Sequence, residues 1–378
     1  MRYMSVCGTA LLLTACGGEG ETAALPPADP ATAATASGPA VEPENRTFRD
    51  WHAVCDNGNR CVAYSGAATG WIRVAIDAGP TAAPSVMIGL WPDDGDALPG
   101  PVSVVVDGRR HATTPGPSDT GSATIAPGDV RAVIAELAAG QSLALTSGDQ
   151  TADLPIAGVS AALLWIDERQ RRLQTTTALI RRGARPASAV PAAVALPVVI
   201  AAPAVSQAGF EGALNPMAED DPPTIAVPAA LRALPDVRQC HEDTAFNPYL
   251  QKAVTASRLN ASTELWGIPC DSGAYNITYA YFLTGANGTN GRPARFPELD
   301  DAATAADPGA EYNRLINPVY DPATRTLNAF SKARGLGDCG VMQTWTWTGQ
   351  AFVLSREQMM EECWGMISDF WPTTWRSR

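Results

Sequence analysis

Six cysteines beyond position 50 constrain this chain more than any other feature. The sequence holds eight in all: Cys7, Cys16, Cys55, Cys61, Cys240, Cys270, Cys339 and Cys363. Cys7 lies inside an N-terminal leader and Cys16 at its end, which leaves six for the folded protein. An even number of cysteines in an exported chain reads as a disulfide framework, here of three bridges. Cys55 and Cys61 are the only pair before position 240, so an N-terminal domain that folds alone must join them to each other. The other four allow three arrangements, of which the sequence-local one, Cys240–Cys270 with Cys339–Cys363, is favoured. By loop entropy the two longer closures each stabilise by roughly 3–4 kcal/mol and the short Cys55–Cys61 loop by about 2 kcal/mol. Zinc is a poor rival, because no C-x-x-C occurs and the histidines do not stand at finger spacing.

The leader reads MRYMSVCGTALLLTACGG. Arg2 supplies a positive start, Val6–Leu13 a short apolar stretch, and Leu13-Thr14-Ala15-Cys16 a small-residue end. This is the three-part shape of a signal peptide, too short to span a bilayer as a stable helix. The Leu-Thr-Ala-Cys step resembles a bacterial lipobox, which implies that Cys16 is lipidated and becomes the mature N-terminus. Two or three acyl chains anchor stably where one does not. Gly17, where inner-membrane lipoproteins carry Asp, implies the outer membrane by the same resemblance. The expectation is therefore an outer-membrane lipoprotein facing the periplasm, with residues 1–15 as signal. Residues 16–47 hold Ala, Pro, Thr, Glu and Gly and almost no large apolar side chain, so they read as a disordered tether.

Two further composition shifts divide the rest. Residues 48–183 predict a β-rich domain: a hairpin-like staple at Cys55–Cys61, strands at Trp71–Ile76, Ser85–Leu90, Val102–Val106 and Leu143–Thr146, and helices at Asp129–Ala139 and Ser160–Arg172. Residues 184–227 are rich in Pro and Ala. Ala187–Val205 is an uncharged run, but Pro191, Pro197 and Pro203 oppose a regular helix, so it reads as an extended linker rather than a membrane span. Residues 228–378 predict a second β-rich domain with two disulfides. A helix is expected over Glu242–Ser257, then strands at Tyr275–Leu283, Asn313–Tyr320, Thr326–Ser331, Gln343–Thr348 and Ala351–Ser355, in the cadence of an antiparallel meander. The fold class is mainly β with short helices (α+β), as two disulfide-stapled domains. The formal net charge of −12 argues against a nucleic-acid partner, which needs a basic face to displace phosphate counterions.

Four blocks occur in one order: FRDWHAVCDNGNRCVAY, AGVSAALLWIDERQRRLQTTTALIRRG, WGIPCDSGAYN and GLGDCGVMQTWTWTGQAFVLSREQMMEECWG. Together they resemble the landmarks of a bacterial envelope family known as domain of unknown function 1176, from Phe48 to Trp375. The family carries no established activity. The N-terminal domain is also similar to invasion-associated locus B proteins, which implies a small exported β-sandwich-like domain without a catalytic assignment. The VYDPATRTL…WTWTGQAFVL cadence faintly resembles periplasmic lysozyme inhibitors.

Reactive constellations are scarce. His241-Glu242-Asp243 are sequence neighbours, which point apart on a helix; the acidic pair reads as the start of a helix. Asp93-Asp94-Gly95-Asp96 lacks EF-hand spacing and reads as an acidic turn, as do Asp300, Asp301 and Asp307. The Gly285–Gly291 loop has neither a following helix nor a Lys to make a phosphate cradle. Arg169, Arg171, Arg172, Arg181, Arg182 and Arg185 form the only basic cluster, a solvated helix and linker start or, on the sharper reading, an interdomain or anionic-partner surface. The most unusual stretch is Gly335-Leu336-Gly337-Asp338-Cys339-Gly340. Gly335, Gly337, Asp338 and Gly340, with Trp345 and Trp347, form a candidate binding loop; the competing reading is a structural corner under a tryptophan-lined core.

With three histidines and no assembled catalytic motif, the expected function is non-enzymatic. The chain would bind another envelope component or protein and could inhibit a cell-wall hydrolase, with no metal or cofactor. Two alternatives stand beside this: an envelope hydrolase built from His241, Asp338 and acidic loop residues, and a structural envelope-integrity protein.

Overall fold

The computed structural model describes residues 41–92, 97–117, 121–210, 225–297 and 312–378. Cys16, the leader, most of the tether, the Asp93–Asp96 turn and the Asp300, Asp301 and Asp307 loop lie outside the described residues.

The first half contains strands β1 (Glu44–Phe48), β2 (Trp51–Cys55), β3 (Cys61–Ala67), β4 (Gly70–Ile76), β5 (Ser85–Leu90), β6 (Ser103–Val106), β7 (Arg109–His111), β8 (Thr113–Pro115), β9 (Ser122–Ile125), β10 (Leu143–Ser147) and β11 (Gln150–Leu154). Helix α1 (Val130–Ala139) lies before β10 and α2 (Val159–Arg169) follows β11. A seven-stranded antiparallel sheet runs β1-β2-β3-β4-β5-β9-β8, and a four-stranded one β11-β10-β6-β7. In the β2–β3 hairpin Cys55 stands directly opposite Cys61, so their disulfide closes the ladder at the turn. Asp56 Oδ1 shapes that turn by accepting from the Gly58 and Arg60 amides, each at 2.8 Å. Val130, Val133, Ile134 and Leu137 of α1 are buried at helical spacing, as the sequence predicts.

Strand β1 begins inside the stretch read as tether. A polar edge strand needs little apolar content, since its backbone pairs with β2 and Arg169 binds both the Glu44 carboxylate and the Glu42 carbonyl. The basic cluster is divided: Arg169 and Arg172 are built into the fold, while Arg171, Arg181, Arg182 and Arg185 are exposed. Arg172 is fully buried and donates to the Asp77 and Gly79 carbonyls and to Gln170. Asp167 receives the Leu179 and Ile180 amides.

Over its described residues, 184–210 and 225–227, the linker is mostly extended, with a 3₁₀ turn at Ala187–Ala189. It is held to the second half at intervals: Val199 N donates to Arg378 O (3.0 Å), Arg378 N to Pro197 O (2.9 Å) and Ala202 N to Trp347 O (2.9 Å). Among the described residues no helix is long and apolar enough to cross a membrane.

The second half opens with helices α3 (Ala229–Arg232), α4 (Pro235–Asp243) and α5 (Pro248–Lys252). Strands β12 (Thr255–Arg258), β13 (Glu264–Ser272), β14 (Ile277–Thr284), β15 (Arg292–Pro293) and β16 (Arg314–Ile316) make one antiparallel sheet. Strands β17 (Val319–Asp321), β18 (Thr326–Lys332), β19 (Gly340–Trp347), β20 (Phe352–Met360) and β21 (Thr373–Arg376) make the other, a meander in sequence order. The single helix expected over Glu242–Ser257 is absent. Pro248 holds Asn247 extended (φ −128°, ψ 96°), the Asn247 side chain caps a new helix through the Tyr249 amide, and the chain then turns into β12. The strand expected over Asn313–Tyr320 is likewise two, β16 and β17 in different sheets, separated at Asn317 (φ 45°) and Pro318. Cys240–Cys270 ties α4 to β13, and Cys339–Cys363 ties the start of β19 to the loop after β20, the sequence-local pairing.

The halves share a core. On β2, β3 and β4, Ala53, Cys55, Ala63, Ile72 and Val74 face the first half's own interior. Val54, Val62, Tyr64, Trp71 and Ala75, on the opposite face, are buried against Cys339, Met360, Met366 and Trp371 of the second half. Gly66 has no side chain because a Cβ there would lie 2.7 Å from the Trp364 ring. Polar contacts frame this seam: Arg376 Nε donates to Asp56 Oδ2 at 2.5 Å, Asn57 exchanges two hydrogen bonds with the Arg376 backbone, and Trp91 Nε1 donates to Gly365 O.

Loop entropy ranks the three bridges. Replacing both cysteines of one bridge by alanine should cost about 3.5 kcal/mol for each of Cys240–Cys270 and Cys339–Cys363, whose loops are of similar length, and about 2 kcal/mol for Cys55–Cys61. Urea denaturation of the three double variants checks the order; a Cys55–Cys61 variant that loses most would contradict it.

Candidate functional site

The 333–340 turn joins β18 to β19 and carries the residues singled out as a binding loop. Ala333 N donates to Cys339 O (3.0 Å) and Gly337 N to Arg334 O (3.0 Å), so the turn closes on itself. Gly337 (φ 69°) and Gly340 (φ 133°) occupy left-handed conformations, and a Cβ at Gly340 would lie 2.0 Å from the Ser331 carbonyl. Gly335 is exposed and has no positive φ.

Asp338 is buried, and its bonds tie the loop to its neighbour. Arg334 grips it with two hydrogen bonds, Nε to Oδ1 at 2.7 Å and a terminal nitrogen to Oδ2 at 2.5 Å. The Gly365 amide donates to Oδ2 at 2.6 Å, and Arg334 also reaches Cys363 O at 3.0 Å. Burial by itself would raise the Asp338 carboxyl; the hydrogen bonds from Arg334 and Gly365, with the guanidinium charge, outweigh it and hold the group below the usual carboxylate range. Its carboxylate and the sulfurs of Cys339 and Cys363 lie within 4.8 Å of one another. A metal would need thiolates there, and the sulfurs are joined in a disulfide.

Trp345 and Trp347 do not belong to the loop's surface. Both are buried in the core between the second half's two sheets. Trp345 packs edge-on against Phe296 and donates Nε1 to Pro297 O at 2.8 Å, and Trp347 packs on Phe352. The two share one face of β19, as alternation predicts, and that face is the inner one.

Two residues outside the original set form the exposed tip. Leu336 is 66% exposed and Tyr275, on the turn before β14, is 40% exposed. Gly335 lies against the Tyr275 ring, where even a Cβ would sit at 3.5 Å. The Tyr275 hydroxyl donates to Ala333 O (2.9 Å), Asn276 Nδ2 to Lys332 O (2.9 Å), and Asn317 Nδ2 to Phe330 O (2.9 Å). An apolar side chain is thus presented beside an aromatic ring, on a turn held by a disulfide, a bidentate ion pair and an asparagine network. The sequence signal was available in Leu336, a large apolar residue between two glycines. Tyr275 is brought there only by the packing of the two sheets.

Of the residues proposed for a hydrolase site, Asp338 and His241 are described and the acidic loop residues lie outside the described residues. Asp338 is engaged by Arg334 and Gly365, while His241 is exposed on α4. The other histidines are placed elsewhere: His52 stacks on Tyr64 at the seam, and His111 contacts Glu136 at 2.5 Å.

A family model described as protein of unknown function (DUF1176) matches residues 45–378. The chain belongs to that family. It is similar to the uncharacterized protein YpfG of Escherichia coli (strain K12), with 29% identity over 363 residues, 89% of this chain and 94% of that protein. The crystal structure of invasion associated protein B from Bartonella henselae aligns with 34% of this chain and 99% of its own, at 18% identity and a TM-score of 0.26.

The pH dependence of stability tests the Asp338 clamp. A carboxyl whose folded pKa is depressed adds stability above its unfolded value, near 3.9, and that stability is lost as pH falls through the folded pKa. Asp56, the buried carboxylate across the seam, is pushed up by burial in spite of Arg376, so its contribution has the opposite sign. Asp338→Asn should destabilise by about 1–3 kcal/mol at pH 7 and flatten the fall of Tm below about pH 4. An unchanged acid limb would exclude this account.

Proposed function

We propose that this protein is an outer-membrane lipoprotein, anchored through Cys16 and facing the periplasm, that binds another envelope protein without catalysing a reaction on it. The observation that carries the reading is the Leu336–Tyr275 tip. It sets the exposed Leu336 side chain on a turn braced by a disulfide and a bidentate ion pair, with the Tyr275 ring of the neighbouring turn against Gly335. A preorganised anchor loses little entropy on binding, which is how a small contact gains useful affinity. The disulfides support an oxidising compartment. The burial and pairing of Asp338 support a structural rather than a reactive role for it.

The partner class that best suits a chain of net charge −12 is a basic protein, for which opposite charge speeds encounter while the apolar tip supplies the contact. A basic cell-wall hydrolase such as a lysozyme meets that description.

Two experiments test the reading. A Cys16→Ala chain should move from the membrane to the soluble periplasmic fraction; unchanged fractionation removes the anchor. That soluble chain should inhibit at least one lysozyme type in turbidity assays, and Leu336→Asp should weaken inhibition at least tenfold with an unchanged Tm. Absence of inhibition across several types excludes the hydrolase partner. Equal inhibition by Leu336→Asp excludes the tip.

A further inference from the structure

A second site lies in the C-terminal half, between α4 and β13. A cavity of about 380 Å³ opens there. Its floor is aliphatic, formed by Val237, Val254 and Ile268, each no more than 5% exposed. Arg232 and His241 are the ionisable side chains in its lining, which among the described residues contains neither a carboxylate nor a Phe, Tyr or Trp ring. An adjoining depression of about 350 Å³ shares Arg232 and His241 and adds Arg238 and Glu242. The polar residues of the wall are already engaged within the protein: Thr244 donates to Cys240 O at 2.8 Å and Gln251 to His241 O at 3.3 Å. Arg232 is exposed and donates one N–H, of the five a guanidinium offers, to Val227 O at 2.7 Å. The Cys240–Cys270 bridge joins the two walls, so the cavity belongs to a braced part of the fold.

We infer that this cavity binds a single-chain carboxylate amphiphile, with the acyl tail on Val237, Val254 and Ile268 and the carboxylate at Arg232 and His241. Three features select that class. The size is at the lower end of small-molecule sites, which are mostly apolar with a few placed polar groups. The smooth aliphatic floor offers a flexible hydrocarbon the burial that drives its transfer from water. Arg232 stands at the mouth with N–H groups beyond the one it gives to Val227 O, and a guanidinium pairs with a carboxylate in a fork geometry. Glu242 lines the outer depression, beside Arg238, and is not part of the inner lining.

The test uses the full soluble Cys16→Ala chain and decanoate below its micellar concentration, read by calorimetry and by two-dimensional NMR. Decanoate should bind saturably, with shifts centred on Val237, Val254 and Ile268. Decyltrimethylammonium, with the same tail and the opposite head, should bind at least tenfold more weakly. Arg232→Glu should weaken decanoate binding at least tenfold with an unchanged Tm. Should that variant fail to fold, the comparison of the two head groups on the unaltered cavity still decides. Equal binding of both amphiphiles, shifts elsewhere, or no saturable binding of decanoate would overturn the inference. Binding to phosphatidylglycerol vesicles without binding of free decanoate would overturn it too, because the ligand would then be a bilayer surface.

Discussion

The two-sided burial of β2, β3 and β4 is the constraint on which the rest depends. One face of these strands closes the first half's own core; the other carries Val54, Val62, Tyr64, Trp71 and Ala75 into contact with the second half. A fully buried large apolar side chain is worth about 1.5–3 kcal/mol, so leaving that outer face in water would forfeit a substantial share of a typical domain's net stability. The second half supplies the matching surface from the loop between β20 and β21, through Trp364, Met366, Phe370 and Trp371. Two β-rich halves that look separable in sequence therefore make one packed body along this seam.

The cross-links sit where that packing needs them. Cys55–Cys61 closes the hairpin whose turn residues Asp56 and Asn57 hold Arg376. Cys339–Cys363 and the Asp338–Arg334 pair hold the 363–366 loop against the first half, since Gly365 is reached both by Asp338 and by Trp91. The same two devices stiffen the 333–340 turn on its outer side, where Leu336 is exposed. The rigidity of the proposed binding tip is thus a by-product of bracing the seam. Cys240–Cys270 works apart from them, joining α4 to β13 beside the aliphatic cavity.

Much of the local structure was legible. Apolar residues at helical spacing marked α1, and alternation marked β4, β18 and β20, because those signals need only neighbours in sequence. The sequence-local disulfides were readable from cysteine layout alone. What failed was local competition: Asn247-Pro248 ended a helix that periodicity extended, and the polar strand β1 had no apolar signal to show. The 335–340 stretch is the glycine-rich, disulfide-locked turn that the sequence suggested, while Trp345 and Trp347, grouped with it as candidate binding residues, belong to the core. Alternation shows that Trp345 and Trp347 share a face and is silent about which layer covers that face.

By itself the amino-acid sequence determined a mainly β fold, three local bridges and the place of an unusual turn, because spacing, turn chemistry and cysteine pairing act over short separations. Only the tertiary structure decided that Trp71 and Tyr64 are interior, that Asp338 is a structural clamp, and that the Tyr275 ring lies against Gly335, next to the exposed Leu336. Each of these depends on a partner tens to hundreds of residues away, such as Trp371 for Trp71's layer and Gly365 for Asp338, and no local pattern encodes which distant face arrives.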